Sequence, residues 1–250
     1  MVDNRDGHFP AADQQLVAFL CNRRLGIGAD GLILLQNRTG YDFEMVYFNA
    51  DGRLGSMCGN GGRCTVAFAR QLGVIRDTAF FLAADGDHEA TISPQGLVSL
   101  KMNDVQGVER IGDDYYLNTG SPHYIRFVDD VQSIDVFKEG RAIRYNDRFA
   151  AVGTNVNFVQ KTGENEIFVR TYERGVEDET LSCGTGVVAA ALAASLRGYS
   201  SPTTMKTIGG ELSVEFKSGV SRLSSGQVDM FKDIFLAGPA KMVFEGDLEL

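Results

Sequence analysis

The sequence predicts an α/β protein of the α+β kind, made of two similar halves rich in strand and poor in helix. Three observations carry this. Runs of β-branched and aromatic residues recur along the chain, punctuated by Gly, Asn and Asp. Only a few stretches show helical periodicity. The chain also matches itself when shifted by 125 residues, half its length. Cys58-Gly59-Asn60-Gly61 then falls on Cys183-Gly184-Thr185-Gly186, Ala69 on Ala194, Gly73 on Gly198 and Tyr47 on Tyr172.

In chain order, "AADQQLVAFLCNRR" (11–24) predicts a first helix, with Cys21 at an apolar, core position. Strands are expected over 31–36 and 43–48. "MCGNGGRC" (57–64) then opens a helix of about ten residues that a glycine, Gly73, terminates. Strands over 79–85 and 97–102 complete the first half. An ordered connector near 104–116 leads into the second half, where 131–140 is a candidate helix and 157–162 and 166–172 are strands. Cys183 opens the matching helix, closed by Gly198, and the β-rich segment "AKMVFEGDLEL" (240–250) predicts a last strand.

Composition narrows the function. The 250 residues are 44% hydrophobic and 23% charged, enough for two domains of ordinary size. A net charge of -9 argues against nucleic acid, which asks for a basic face. It suits an enzyme of small molecules. No stretch reaches the ~18 apolar residues of a membrane span. The start, "MVDNRDGHFP", is charged at once and has no apolar signal core, so a cytoplasmic protein is expected. Its four cysteines, Cys21, Cys58, Cys64 and Cys183, are then thiols.

The chemistry centres on Cys58 and Cys183, each at the start of a helix. A helix N-terminus carries unpaired N–H groups and a partial positive charge. A thiol there ionises more readily, and a carboxylate can dock on the free N–H groups where glycines allow close approach. Two such motifs facing each other across a cleft would flank the carbon beside that carboxylate with one sulfur on each side. One thiolate could then take a proton while the other thiol gives one, and the helix termini would stabilise the developing enolate-like charge. Zinc is disfavoured: Cys58 and Cys64 stand six apart, the other cysteines are remote, and the chain has only three histidines. A redox centre would want Cys-x-x-Cys, which is absent. Cys64 reads as packing.

"NADG…MCGNGGRC", "GSPH", "GTNVNFVQ" and "YERGVEDETLSCGTG", in this order, resemble the diaminopimelate epimerase family over nearly the whole chain. The resemblance implies two pseudo-symmetric domains, each a β-barrel-like mixed or antiparallel sheet around a central helix, with the active site in the interdomain cleft. The first lobe would take 1–110 plus 239–250 and the second 111–238. It implies epimerisation of LL-diaminopimelate to the meso form, on the way to lysine and peptidoglycan, with no pyridoxal phosphate and no metal, in a homodimer. By resemblance Cys58 and Cys183 are the acid/base thiols. Gly59, Asn60, Gly184 and Thr185 would hold the reacting carboxylate through backbone N–H groups. Glu173 would meet the reacting amino group, and Asn49, Asn155 and Arg174 the far end of the substrate. His123 would lie near the site.

Plainer readings stand beside these. Glu173-Arg174 is also a surface charge pair, Asn49 a turn former before Asp51-Gly52, and His123 a surface histidine. Three departures from the family pattern also stand out. Ser121 replaces the usual Asn before Pro122-His123, Gly31 stands where some members have Gln, and the resemblance implies about fifteen further residues, including a strand and an Asn, ahead of the segment that begins at Met1. The chain as written is therefore expected to be poorly active or less stable. Two alternatives remain: a proline-type racemase or epimerase on the same scaffold, and an inactive thiol-bearing binding relative.

Overall fold

A β-branched run becomes a strand only where its apolar side chains find a covered face, and the computed structural model shows which runs do. It describes residues 1–223 and 226–247. By its internal contacts the chain divides into two units: Met1–Leu100 with the stretch from Pro239 onward, and Lys101–Gly238.

The first unit holds β1 (Val2–Asp3), α1 (Gln14–Cys21), β2 (Gly31–Gln36), β3 (Phe43–Asn49), α2 (Gly59–Gln71), β4 (Thr78–Ala83), β5 (Gly86–Ile92) and β6 (Leu97–Met102). Its strands lie side by side in chain order. The pairs β1–β2 and β3–β4 are parallel and the others antiparallel. Parallel neighbours need a crossover, and α1 and α2 supply it. Asp13 caps α1 by accepting the Leu16 N–H at 2.9 Å. Phe43 and Phe81 meet in parallel register on the core face and stack with centroids 4.8 Å apart.

The second unit holds β7 (Val105–Gln106), β8 (Glu109–Ile111), β9 (Asp114–Asn118), β10 (Pro122–Phe127), α3 (Val136–Arg144), β11 (Asn155–Lys161), β12 (Glu166–Glu173), β13 (Asp178–Thr180), α4 (Gly184–Ser195), β14 (Thr203–Thr207), β15 (Gly210–Leu223) and β16 (Gly226–Pro239). The strand order is β8-β9-β10-β11-β12-β14-β15-β16, with β13 on β12 and β7 on β16. Here β10–β11 and β12–β14 are the parallel pairs, and α3 and α4 make the crossovers.

The two units therefore repeat one connectivity: strand, helix, two strands, helix, three strands, which in the second unit begins at β10 and is supplemented by β7, β8 and β9 before it and by β13. The spacing is the same at the second helix and the strand that follows it. α2 starts at Gly59 and α4 at Gly184, β4 at Thr78 and β14 at Thr203, each pair 125 residues apart. Both repeated helices end against a glycine in the left-handed region, Gly73 at φ 70° and Gly198 at φ 91°, where a Cβ would be strained.

α4 is buried without a break from Gly186 to Ala194, and it packs against β9, β10, β11, β12, β14 and β15. A helix apolar on every face has to be enclosed, and its alanines let strands approach closely. Tyr172 and Phe158, both at 0% exposure, fill the space between β11, β12 and α3. Each such side chain is worth about 1.5–3 kcal/mol of burial.

The structure corrects the predicted elements in two respects. Six strands of five residues or more were not expected: β5, β9, β10, β14, β15 and β16. The predicted last strand is not one over residues 240–247, where Val243 and Phe244 are 86% and 70% exposed; residues 248–250 lie outside the described residues. Among the described residues no helix is long and apolar enough to cross a membrane.

Candidate active site

In the first unit Cys58 is the N-cap of α2, in extended backbone (φ −112°, ψ 118°). Its Sγ accepts the Gly61 N–H at 3.4 Å, so the sulfur takes the place that a Ser or Asp oxygen usually fills. Gly59 and Asn60 form the first turn. The Asn60 Oδ1 accepts from Arg63 Nη2 at 2.8 Å, and the same guanidinium donates through Nη1 to the Gly59 carbonyl at 3.3 Å. Arg63 is only 6% exposed, and its Nε has no hydrogen-bond partner. Burial lowers its pKa, while the thiols of Cys64 and Cys58 act in the opposite sense. Asn49 ends β3 at an exposed turn, where the Gly52 N–H donates to the Asn49 carbonyl at 2.9 Å.

The other two cysteines have different surroundings. Cys21 is 4% exposed and packs among Phe9, Val17, Leu20 and Leu34. Burial pushes the thiols of both Cys21 and Cys64 up, away from the reactive thiolate.

In the second unit Cys183 is the N-cap of α4 with nearly the same backbone (φ −109°, ψ 112°) and is 8% exposed. Its Sγ lies 3.5 Å from the Thr185 hydroxyl. That hydroxyl is 3.0 Å from His123 Nε2 and 3.1 Å from Ser121 Oγ, and Ser121 Oγ is itself 2.9 Å from His123 Nε2. His123 is not a surface histidine: it is fully buried at the start of β10. Burial, helped by the nearby Arg174 cation, pulls its pKa down to about 3, so the ring is neutral at working pH.

Asn155, opposite His123 in the parallel β10–β11 register, ties these groups to the next turn. Its Nδ2 donates to Ser121 Oγ at 3.2 Å and to the Pro122 carbonyl at 3.0 Å, and its Oδ1 accepts the Arg174 N–H at 2.9 Å. The Arg174 guanidinium reaches back to the Val152 carbonyl at 3.0 Å and lies over Gly153, where a Cβ would come within 2.6 Å of its Cδ. Glu173 is the last residue of β12, beside that turn.

Cys183, Gly184, Thr185, Ser121, His123, Asn155, Glu173 and Arg174 thus sit on one connected stretch of β10, β11, β12 and the α4 start. Cys58, Gly59 and Asn60 form the corresponding helix start of the first unit. Sequence reasoning missed the side-chain role of Thr185, the junction at Ser121, and the buried Asn157 and Arg63. Only Ser121 carried a signal, as a departure from the family motif.

A buried neutral histidine has a cost in acid. Above pH about 6.5 neither the folded nor the unfolded chain protonates it. Below that, the unfolded chain binds a proton that the folded chain refuses until pH about 3. Stability should therefore fall with pH across this window, by up to about 1.4 kcal/mol per pH unit. Urea midpoints at pH 7, 6 and 5 check this. The acid loss of the wild type should exceed that of His123→Gln, and parallel curves would refute it.

The chain matches the family model "Diaminopimelate epimerase" over residues 1–108 and 115–231. It is 49% identical to the diaminopimelate epimerase of Flavobacterium psychrophilum over 248 residues, covering 98% of this chain and 93% of that protein. With the diaminopimelate epimerase of Chlorobaculum tepidum it shares 43% over 258 residues, 100% of this chain and 96% of the relative. Among solved structures, a probable proline racemase from Agrobacterium radiobacter K84 with bound carbonate aligns with TM-score 0.65 at 15% identity, over 92% of this chain and 79% of that one. A PhzF-family phenazine biosynthesis protein of Bacillus anthracis aligns at TM-score 0.63 and 12% identity, over 94% and 89%. At those identities the likeness is one of fold. The two curated relatives, alike over almost their full length, and the family model together show that this chain belongs to the diaminopimelate epimerase family.

Proposed function

We propose that this isomerase converts LL-2,6-diaminopimelate to meso-diaminopimelate by a two-base proton transfer between Cys58 and Cys183, without pyridoxal phosphate or metal. The observation that carries the reading is the repeat itself. Each unit presents one cysteine as the N-cap of its crossover helix, followed by Gly-x-Gly, in nearly identical backbone. The other cysteines are buried, or half-buried with burial raising the thiol.

The α-proton of an amino acid is weakly acidic. One thiolate takes it, and the electron pair left on carbon spreads into the adjacent carboxylate. Backbone N–H groups of Gly59, Asn60, Gly184 and Thr185 would hold that carboxylate and its developing charge. The other thiol returns a proton to the opposite face, so the two sulfurs exchange protonation states and the configuration inverts. Glu173 would accept from the reacting ammonium. Arg174 offers a fork for the distal carboxylate, with Asn49 and Asn155 beside it. The proposal includes a cytoplasmic homodimer.

The test is solvent deuterium. Purified, reduced protein in D2O with LL-diaminopimelate should place deuterium at one α-carbon while meso product forms. Product without label, or neither product nor label, would overturn the reading.

A further inference from the structure

Asn157 is fully buried in the middle of β11, faces Thr171 across the antiparallel β11–β12 pair, and belongs to no role assigned so far. Its amide orientation is fixed by its neighbours. One amide atom lies 3.1 Å from the Tyr124 carbonyl oxygen, which can only accept, so that atom is the NH2 group. The same Nδ2 lies 3.1 Å from His123 Nδ1, and Oδ1 accepts the Thr171 hydroxyl at 2.9 Å.

A nitrogen that receives an N–H must offer a lone pair. His123 Nδ1 is therefore bare, and in a neutral ring the proton sits on Nε2. That N–H points at Ser121 Oγ, 2.9 Å away, and Thr185 Oγ1, 3.0 Å away. When Ser121 Oγ, the nearer of the two, takes the ring proton together with the Asn155 amide, its own proton goes to Thr185 Oγ1, and the Thr185 proton is left for the Cys183 sulfur at 3.5 Å. In the other tautomer Nε2 would accept, and a hydroxyl proton of Ser121 or Thr185 would turn toward the ring, so nothing would direct the Thr185 proton at the sulfur.

We propose that Asn157 is a positioning residue that holds His123 in its Nε2–H tautomer and thereby aims the Thr185 hydroxyl as a donor at Cys183. The site is built for this contact at close range. At Gly186, in the first turn of α4, a Cβ would stand 2.5 Å from Asn157 Oδ1 and 3.3 Å from His123 Cε1. A donor directed at the sulfur favours its unprotonated form, so this chain prepares Cys183 to act as base. The inference rests on the proposed role of Cys183.

The test pairs a tautomer readout with kinetics. In 15N–1H correlation spectra of the imidazoles, with the His123 signal assigned by its loss in His123→Gln, the wild type should show an Nε2–H, bare-Nδ1 ring at pH 7. Asn157→Asp keeps the shape but cannot donate to Nδ1, so the proton should move to Nδ1. With LL-diaminopimelate its kcat should fall about tenfold or more while KM stays within about twofold, since a general acid–base group out of place costs rate rather than binding. Thr185→Val should lose kcat similarly with the tautomer unchanged, and Thr185→Ser should restore it. An Nδ1–H ring in the wild type, or wild-type kcat in Asn157→Asp or Thr185→Val, would overturn the proposal. If Asn157→Asp does not fold by circular dichroism, the wild-type spectrum and the Thr185 pair still decide. A wild type with the expected tautomer but no deuterium incorporation would instead sink the reading of Cys183.

Discussion

Cys58→Ala and Cys183→Ala should each lower kcat for epimerisation by about 10²–10⁴, the usual worth of a positioned acid or base. The double variant should lose little more than either single one. Two sulfurs that act on one proton transfer form a unit: once one is gone, the other has nothing to complete. If each contributed independently, the losses would multiply. Steady-state rates of the three variants decide between these outcomes, and a double variant reduced by the product of the single losses would refute the two-thiol scheme. Folding should survive. Cys58 is half-buried and its sulfur takes one cap hydrogen bond, and in each variant alanine keeps the Cβ and removes only the sulfur.

Gly186→Ala should be the costliest small substitution at the site, and Gly61→Ala at the matching position of the first unit should be mild. A methyl at Gly186 would meet Asn157 Oδ1 at 2.5 Å, and that amide is held on all sides by Thr171, Tyr124 and His123. At Gly61 the nearest atoms are Ile33 Cδ1 at 3.0 Å and Met45 Cε at 3.1 Å, the free ends of flexible side chains. Overpacking at the first position should cost about 2–3 kcal/mol. For a chain of this length that corresponds to a Tm lower by about 4–12 °C. At the second, the gain from replacing a helical glycine, about 0.5–1 kcal/mol, offsets most of the crowding. Thermal unfolding of the two variants checks the contrast, and equal Tm values would disprove it.

Much of this was legible in the sequence, for a physical reason. β2, β3, β6, β11 and β12 are short apolar runs between turn residues, and the helices that follow Cys58 and Cys183 announce themselves by a Gly-x-Gly start and a glycine stop. The strands that were missed lack such a pattern. β5, "GDHEATI", places a polar residue at every second position, and β10 opens on Pro122, which a strand tolerates at its first residue. β14, "TTMKT", has a single large apolar residue. Conversely, 240–247 has the composition of a strand without the partner that would make it one.

The side-chain network was hidden for a different reason. Asn157 meets Thr171, and His123 lies beside Asn155, only because of the register in which β10, β11 and β12 pair. Register is a property of two segments at once, and no window of a single sequence contains it. The cysteines, by contrast, are local features of a helix start, so their place could be inferred without knowing what lies across the sheet.

The enclosure of α4 has a further consequence. Its amide protons, covered by six strands and buried from Gly186 to Ala194, should exchange through opening of the whole surrounding unit, so the slowest amides of that helix should act as a built-in gauge of the unit's global free energy.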